Sequence, residues 1–354
     1  PKVQVILKDY HQGWGRKTIP LPQELSYLKD FYLKEDKSPF SSFHHYYHFG
    51  ADFKKIGQEI AREKPDLVGI SALFSPYYRE VFECAKEIKK QKNIPILVGG
   101  SQASAMPEFI LMNPNIDFVI RGEGEKAFVE FIKAWQKRKT FARVPNLGYK
   151  KRGVLFLNSV KPNFPIETLP FPDLSGLSQE RYLFEGKPIS MIVSSRGCPY
   201  QCAFCSIRKT FGNRYRRRSA ENIFNEIKQR YQEGYRVFDF EDDHLTFDKK
   251  EMKALCQKIL SGFPKNEIRL LAMNGLCYWS LDAELLTLMR KVGFTHLNLS
   301  LVSSNSGILK TMQRPHAIKK YSSAVRKAAQ LGFKIVSYQI LGLPGDSIES
   351  MLKT

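Results

Sequence analysis

Three of the six cysteines of the chain lie within eight consecutive positions. Cys198, Cys202 and Cys205 form the spacing CxxxCxxC in the segment SSRGCPYQCAFCSIRK, and no fourth ligand follows at short range. A structural zinc site takes four protein ligands, usually as two pairs, so this loop does not match one. Thiolates are typical ligands of zinc and of iron–sulfur clusters. Three thiolates on one loop therefore favour a four-iron cluster with one iron left open for another ligand.

Composition and charge narrow the class of protein. The 354 residues are 43% hydrophobic, which is enough for a sizeable core, and the length predicts two domains. No apolar run approaches the ~20 residues of a membrane span and no signal-peptide pattern opens the chain, so we expect a cytoplasmic protein. The formal charge of +20 favours polyanions, anionic cofactors or simply solubility.

Strand and helix patterns alternate through residues 1–140, which predicts a parallel sheet with helices on both sides. The strand candidates are KVQVIL, DLVGISALF, IPILVGG and DFVIRGEG. Ligands of such sheets bind beyond the carboxyl ends of the strands. Those ends carry small residues in the segments SALFSP, GGSQAS and RGEGEK, so we expect a binding face for a large flat ligand there.

A different pattern follows. Residues 141–188 combine a predicted β-hairpin, RVPNLGYKKRGVLFLN, with a Pro-rich linker. Residues 189–354 form a second βα series whose strand candidates are PISMIVSS, RVFDFEDD, EIRLLAMNG, HLNLSLVSS and KIVSYQILGLPG. Five strands with intervening helices predict a partial barrel, and the three cysteines follow its first strand. A barrel of this kind would contain at least one more strand, so we expect a truncated C-terminus.

The segments IPILVGGSQASAMPE and IDFVIRGEGEKAFVEF resemble the cobalamin-binding domain of cobalamin-dependent radical SAM enzymes. In that family a Rossmann-like cobalamin-binding α/β domain precedes a TIM-like (β/α) radical SAM barrel. The resemblance implies that the nucleotide tail of the corrinoid enters at the edge of the sheet. The residues it implies there are Ser71, Gly99, Gly100, Ser101, Gln102, Gly122, Glu123 and Gly124.

The segment DYHQGWG raises the question of a protein ligand to cobalt. Asp9 and His11 have the spacing of the DxHxxG motif found in cobalamin proteins that supply an imidazole ligand, but the glycines stand at positions 13 and 15 instead of 14. Cobalt ligation by His11 and a plain loop position for it both remain open.

CxxxCxxC with Phe204 before the last cysteine resembles the radical SAM signature. The resemblance implies a [4Fe-4S] cluster on Cys198, Cys202 and Cys205, chelation of its open iron by S-adenosylmethionine (SAM), and cleavage of SAM to a 5′-deoxyadenosyl radical. It also implies an electron donor such as flavodoxin or ferredoxin. The further SAM contacts by resemblance or position are Phe204, Asp242, Asp243, Asn274, Ser300, Gln339 and Gly342. Val302 stands where related segments commonly carry Glu, so that acidic contact is absent.

The function implied is a cobalamin-dependent methyltransferase that uses SAM and methylcobalamin to methylate an unactivated carbon. Cyclisation or ring rearrangement with the same cofactors is an alternative, and the charge of +20 leaves an iron–sulfur nucleic-acid-binding module as a third. The substrate is expected to be a small molecule or peptide. The basic run from Arg208 to Arg218 is read equally as a clamp for an anionic substrate and as a solvated loop. Both cofactors should open on one shared cavity.

Overall fold

The computed structural model of the chain describes residues 2–30, 35, 46–161, 164–315 and 317–354. The strands are β1 (Arg16–Ile19), β2 (Tyr46–Phe49), β3 (Val68–Ser71), β4 (Ile96–Gly99), β5 (Phe118–Ile120), β6 (Leu147–Lys151), β7 (Val154–Leu157), β8 (Leu183–Phe184), β9 (Lys187–Ile192), β10 (Ser195–Arg196), β11 (Arg216–Arg217), β12 (Val237–Phe240), β13 (Arg269–Leu271), β14 (His296–Val302) and β15 (Lys334–Gln339). The α-helices are α1 (Phe53–Glu63), α2 (Tyr78–Gln91), α3 (Ser101–Ala105), α4 (Pro107–Met112), α5 (Gly124–Gln136), α6 (Ile207–Phe211), α7 (Ala220–Gln232), α8 (Lys249–Gly262), α9 (Ala283–Lys291), α10 (Ser306–Thr311), α11 (Ile318–Gln330) and α12 (Ile348–Lys353).

The N-terminal domain is built on a five-stranded sheet of order β3-β4-β5-β6-β7. Strands β3, β4 and β5 are parallel, as the alternating pattern predicts. Ile96, Val98 and Val119 are fully buried in this sheet. The uninterrupted apolar strands are buried because helices cover both faces of a parallel sheet.

The predicted hairpin forms and extends this sheet. β6 pairs antiparallel with β5 and with β7, so the hairpin belongs structurally to the first domain. Arg152 and Gly153, the two residues between the strands, have φ values of 52° and 80°. Two successive residues with positive φ make a turn whose twist matches that of the flanking strands.

The strand predicted at KVQVIL is not present. Residues 2–10 have no regular secondary structure, and Val3, Val5 and Leu7 are at least half exposed. The segment contacts helices instead, because Gln136 donates to the carbonyl of Lys2 and Lys8 pairs with Glu63. Alternating apolar residues favour a strand, but a strand forms only where a neighbouring strand satisfies its backbone hydrogen bonds.

The C-terminal domain is a partial barrel. β9, β12 and β13 are parallel, β14 and β15 are parallel, and parallel bridges from Leu270 to Phe294 and from Leu276 to Leu299 join the two groups. The five predicted strands are therefore present in the spatial order β9-β12-β13-β14-β15. The core lies between this sheet and its outer helices, where Phe238, Phe240 and Phe294 are fully buried. Within the described residues, no helix is both long and apolar enough to span a bilayer.

Candidate active site

The cysteine loop follows the first strand of the partial barrel. Cys198 and Cys202 are buried, whereas Cys205 is exposed, and α6 begins two residues after it. Gly197 precedes the loop with a φ of 88°, and a Cβ atom there would overlap the carbonyl oxygen of Arg214. Glycine is therefore the residue that lets this chain turn into the loop.

All three cysteines line one cavity of about 190 Å³. Four other predicted site residues line it with them: Phe204, Asp243, Asn274 and Ser300. Arg208 of the predicted basic run also lines it, and the sequence did not point to the remaining lining residues, which are Tyr200, Ile207, His244, Gly275, Leu276 and Arg314.

The donor set of this cavity matches an iron–sulfur cluster better than a single ion. In the described part of the chain, no three His, Cys, Asp or Glu side chains converge closely enough to ligate one metal ion. Three thiols spread around a common cavity instead leave room for an inorganic core between them. Burial raises the pKa of Cys198 to about 11, so its thiol is protonated at neutral pH and iron must displace that proton.

The adjacent acids Asp242 and Asp243 have different surroundings. Asp242 is fully buried and accepts from the backbone N–H of Ser194 at 3.1 Å, from the Ser194 hydroxyl at 2.8 Å, and from the Ser195 hydroxyl. It holds the chain just ahead of the cysteine loop and does not line the cavity. Asp243 does line it, and burial together with the Asp242 charge raises the pKa of Asp243 to about 7.

Arg314 reaches the cavity from the loop after α10. Its Nη2 donates to the carbonyl of Ser300 at 3.1 Å, and its Nη1 lies 3.8 Å from the sulfur of Cys202. The two residues are 112 positions apart in sequence, so no local pattern could have paired them. A guanidinium beside the thiols offers fixed positive charge to an anionic group in this cavity.

Besides Asp242, two more predicted SAM contacts lie outside the cysteine cavity. Gln339 donates to the carbonyl of Thr354 at 3.3 Å, and the N–H of Gly342 contacts the sulfur of Met351. Neither lines the cysteine cavity. Val302 is buried beside Ile308 in a small apolar cluster, in keeping with the missing acidic contact at that position.

A second cavity, of about 380 Å³, lies between the domains. It is lined by most of the loop residues predicted for the corrinoid: Gly99, Gly100, Ser101, Gly122, Glu123 and Gly124. Arg196, Thr210 and Phe211 of the C-terminal domain complete the lining together with Leu73, Leu97, Ile120, Glu125 and Phe128. Its volume lies within the range typical of ligand sites.

This second cavity has features that fit a bound ligand. The Thr210 hydroxyl is buried without a hydrogen-bond partner among the described residues, which costs free energy unless a ligand pairs with it. A Cβ atom on Gly99 would meet nothing within 4 Å, so the backbone is open on that side. Gly100 differs, because its φ is 108° and a Cβ atom would lie 2.6 Å from the carbonyl oxygen of Ala72. The fold itself therefore requires glycine at position 100.

Three other predictions fall outside this lining. Ser71 ends β3 at the same edge of the sheet, and Gln102 is buried with its Oε1 unpaired among the described residues. His11 is exposed in a turn, where its backbone N–H donates to Asp9 at 2.9 Å.

Glu123 joins the two domains. Its Oε1 accepts from Arg196 Nη1 at 2.9 Å, and its Oε2 pairs with Arg216 Nη2 at 3.0 Å. Only 5% of the Glu123 side chain is exposed, so solvent screens these charges weakly. The structure thus gives this carboxylate two protein partners.

The basic run from Arg208 to Arg218 is divided between two environments. Arg216, Arg217 and Arg218 bind protein groups, which include the carbonyl of Phe164, the carbonyl of Leu245 and the carboxylate of Glu226. Arg208 is exposed and lines the cysteine cavity. Most of this run therefore stabilises the fold, and Arg208 faces the site.

Family comparisons agree with the two cavities. The model of the B12 binding domain matches residues 42–132, and that of the radical SAM superfamily matches residues 192–354. The chain belongs to the cobalamin-dependent radical SAM family. The first match contains the glycine-rich loops of the interdomain cavity, and the second contains the three cysteines.

Curated relatives of this cobalamin-dependent radical SAM protein include methyltransferases and a cyclase. An uncharacterized methyltransferase of Pyrococcus horikoshii is 28% identical and covers 85% of this chain and 66% of its own length. Cytidylyl-2-hydroxyethylphosphonate methyltransferase of Streptomyces wedmorensis is 25% identical, and the match covers 85% of this chain and 62% of the relative. The anaerobic magnesium-protoporphyrin IX monomethyl ester cyclase of Cereibacter sphaeroides is 24% identical, and the match covers 85% of this chain and 50% of the relative. The chain therefore spans between half and two thirds of the length of these relatives.

A solved structure shares the fold of this family member. The radical SAM methyltransferase TsrM of Kitasatospora setae, solved with cobalamin and a [4Fe-4S] cluster, matches with a TM-score of 0.72 at 20% identity. The match covers 84% of this chain and 63% of TsrM. The order of a cobalamin-binding domain followed by a partial radical SAM barrel is thus confirmed.

Proposed function

We propose that this chain is the cofactor-binding part of a methyltransferase that methylates an unactivated carbon with SAM and cobalamin. One observation carries the proposal: the interdomain cavity is lined both by the glycine-rich loops and by Arg196, which lies two residues before Cys198. A corrinoid in those loops would lie beside the cysteine loop. Methyl transfer needs this proximity, because the donor must reach a carbon activated next to the cluster.

Each of the two cavities would hold a different cofactor. When bound, the cluster and SAM supply radical chemistry and cobalamin supplies the methyl group. Cys198, Cys202 and Cys205 would hold the cluster, and the polar groups of Asp243, Asn274 and Ser300 in the same cavity are available to SAM. The loops at Gly99 and Gly122 would hold the corrinoid.

We also propose that the corrinoid binds without an imidazole ligand from His11. This side chain is exposed in a turn and does not line the interdomain cavity. Substitution His11→Ala should therefore leave the absorbance spectrum of bound cobalamin unchanged. A changed spectrum would make His11 the axial ligand.

The test of the function is anaerobic reconstitution of the chain with iron, sulfide and cobalamin. A chemical reductant takes the place of the flavodoxin or ferredoxin that we expect as the physiological donor. Mass spectrometry should then detect S-adenosylhomocysteine, 5′-deoxyadenosine and candidate substrates that have gained one CH2 unit. A reconstituted chain that binds iron but never turns over SAM would instead favour a nucleic-acid-binding role.

A second candidate function uses the same cofactors without methyl transfer. The relative from Cereibacter sphaeroides is named as a cyclase, which favours cyclisation or ring rearrangement as the alternative. Product mass separates the two functions. Formation of 5′-deoxyadenosine with a product that gains no carbon would support the cyclase and contradict the methyltransferase.

A further inference from the structure

The three cysteine sulfurs differ in their hydrogen-bond donors. The backbone N–H of Tyr200 donates a hydrogen bond to the Cys198 sulfur, and the backbone N–H of Ile207 donates one to the Cys205 sulfur. Among the residues that the structure describes, only Cys198 also has an imidazole close by, with its sulfur 3.2 Å from Nε2 of His244. Within the described residues, the sulfur of Cys205 has no side-chain hydrogen bond, and Cys202 has only the Arg314 nitrogen at 3.8 Å.

The ring of His244 is held in place by its neighbours. It is 7% exposed, and Tyr200 packs edge-on against it with ring centroids 5.4 Å apart. Tyr200 is itself fixed, because its hydroxyl accepts from Trp279 Nε1 at 2.9 Å. The rings of Phe247 and Trp279 are also close to the imidazole, each with its centroid 6.2 Å from that of His244. An imidazole packed in this way has little freedom to turn away from Cys198.

The chemistry of the pair decides the direction of the hydrogen bond. A sulfur bound to iron carries no proton and can only accept, so Nε2 of His244 must carry the hydrogen. Nδ1 is buried and has no partner among the described residues, so nothing there competes for the proton. The tautomer with hydrogen on Nε2 is therefore the one that this environment supports.

We propose that His244 is a positioning residue that donates a hydrogen bond to the Cys198 sulfur and raises the reduction potential of the bound cluster. Reduction adds negative charge to the cluster, and a donor aimed at a ligating sulfur stabilises that charge. The surrounding rings keep water from replacing the donor. The proposal rests on the proposed function insofar as the three cysteines must hold a cluster.

The test compares midpoint potentials of the anaerobically reconstituted full chain in redox titrations followed by EPR. His244→Phe keeps a ring and removes the donor, so its midpoint potential should be more negative than that of the wild type. His244→Gln places an amide N–H at similar reach and should restore much of the difference. His296→Phe is the matched control, because His296 also packs edge-on against an aromatic ring, that of Phe184, but lies outside the cysteine cavity.

Each result has a defined meaning. A wild-type chain that binds no iron would contradict the proposed function itself. If the wild type binds a cluster but His244→Phe has the same midpoint potential, only the role of His244 is overturned. The same holds if the midpoint potential of His244→Gln is shifted as far as that of His244→Phe. If His244→Phe does not fold, pulsed EPR of the wild type with 15N-labelled histidine replaces it. A nitrogen coupling to the reduced cluster supports the hydrogen bond, and its absence overturns it.

Discussion

Arg196 and Glu123 connect the cysteine loop to the loops of the interdomain cavity. Nη1 of Arg196 lies 2.9 Å from Oε1 of Glu123, and both residues line that cavity. Arg196 stands two positions before Cys198, while Glu123 immediately precedes α5 of the other domain. A second arginine, Arg216, pairs with the other oxygen of Glu123. One buried carboxylate thus aligns the two parts of the proposed site.

The first prediction concerns this carboxylate. Glu123→Gln removes the carboxylate that pairs with Arg216 and one of the two that pair with Arg196, so we expect it to lower the free energy of unfolding by about 1–3 kcal/mol. It should also weaken cobalamin binding, because the loops would lose their alignment. Chemical denaturation and titration with cobalamin measure the two effects.

Glu125→Gln is the control for Glu123→Gln. This more exposed residue also pairs with Arg196, and we expect its substitution to lower the free energy of unfolding by less than about 1 kcal/mol. Equal effects of both substitutions would contradict the special role of Glu123.

The second prediction concerns the cluster. Replacement of Cys198, Cys202 and Cys205 together by Ala should abolish iron binding and the formation of 5′-deoxyadenosine. Iron analysis, visible absorbance and chromatography of the SAM products provide the measurements. Cys84→Ala is the control, because Cys84 lies in α2, outside the cysteine cavity, and its removal should leave the iron content unchanged. Iron and SAM cleavage that survive the triple substitution would refute the assignment of the ligands.

The third prediction compares two glycines in neighbouring strands of the same sheet. Gly99 ends β4 and lines the interdomain cavity, whereas Gly69 lies in β3 and does not line it. A Cβ atom at either position would meet nothing within 4 Å, so both Val substitutions should fold. Gly99→Val should reduce cobalamin affinity at least about tenfold by filling the open side of the cavity, a loss of ~1.4 kcal/mol.

Equilibrium titration followed by cobalamin absorbance checks this prediction. Gly69→Val should bind as tightly as the wild type, and circular dichroism should show that both variants are folded. Tight binding by Gly99→Val would mean that the corrinoid does not occupy this cavity. Gly100 is a poorer test than Gly99, because any side chain there would clash with the backbone of Ala72 whether or not a ligand binds.

The fourth prediction separates the two adjacent acids. Asp242→Ala removes the acceptor for Ser194 and Ser195, so we expect a loss of about 1–3 kcal/mol in stability and a lower iron content. Asp243→Ala should retain iron but bind SAM more weakly, because Asp243 lines the cavity without holding the loop. Denaturation, iron analysis and calorimetric titration with SAM measure these outcomes. An iron content that is lowered equally in both variants would contradict this division.

Patterns that are local in sequence predicted much of the fold. The spacing of Cys198, Cys202 and Cys205 indicated a cluster with one open iron, and the five strands of the partial barrel followed from apolar runs and periodicity. The glycines at the ends of β4 and β5 pointed to the edge of the sheet where the larger cavity lies. These features were readable because each depends on residues within a few positions of one another, which share a loop, a strand or a turn.

The sequence alone thus determined the cofactor class, the order of the domains and the loops that face the site. Only the tertiary structure decided the partners of individual side chains. Asp242 turned out to be a buried acceptor and Asp243 a cavity residue, although the two are adjacent. Glu123 forms an ion pair with Arg196, which is 73 positions away in sequence, and the segment KVQVIL has no neighbouring strand with which to pair. The reason is physical: ion pairs, buried hydrogen bonds and strand pairing join residues that are distant in sequence, so local patterns carry no record of them.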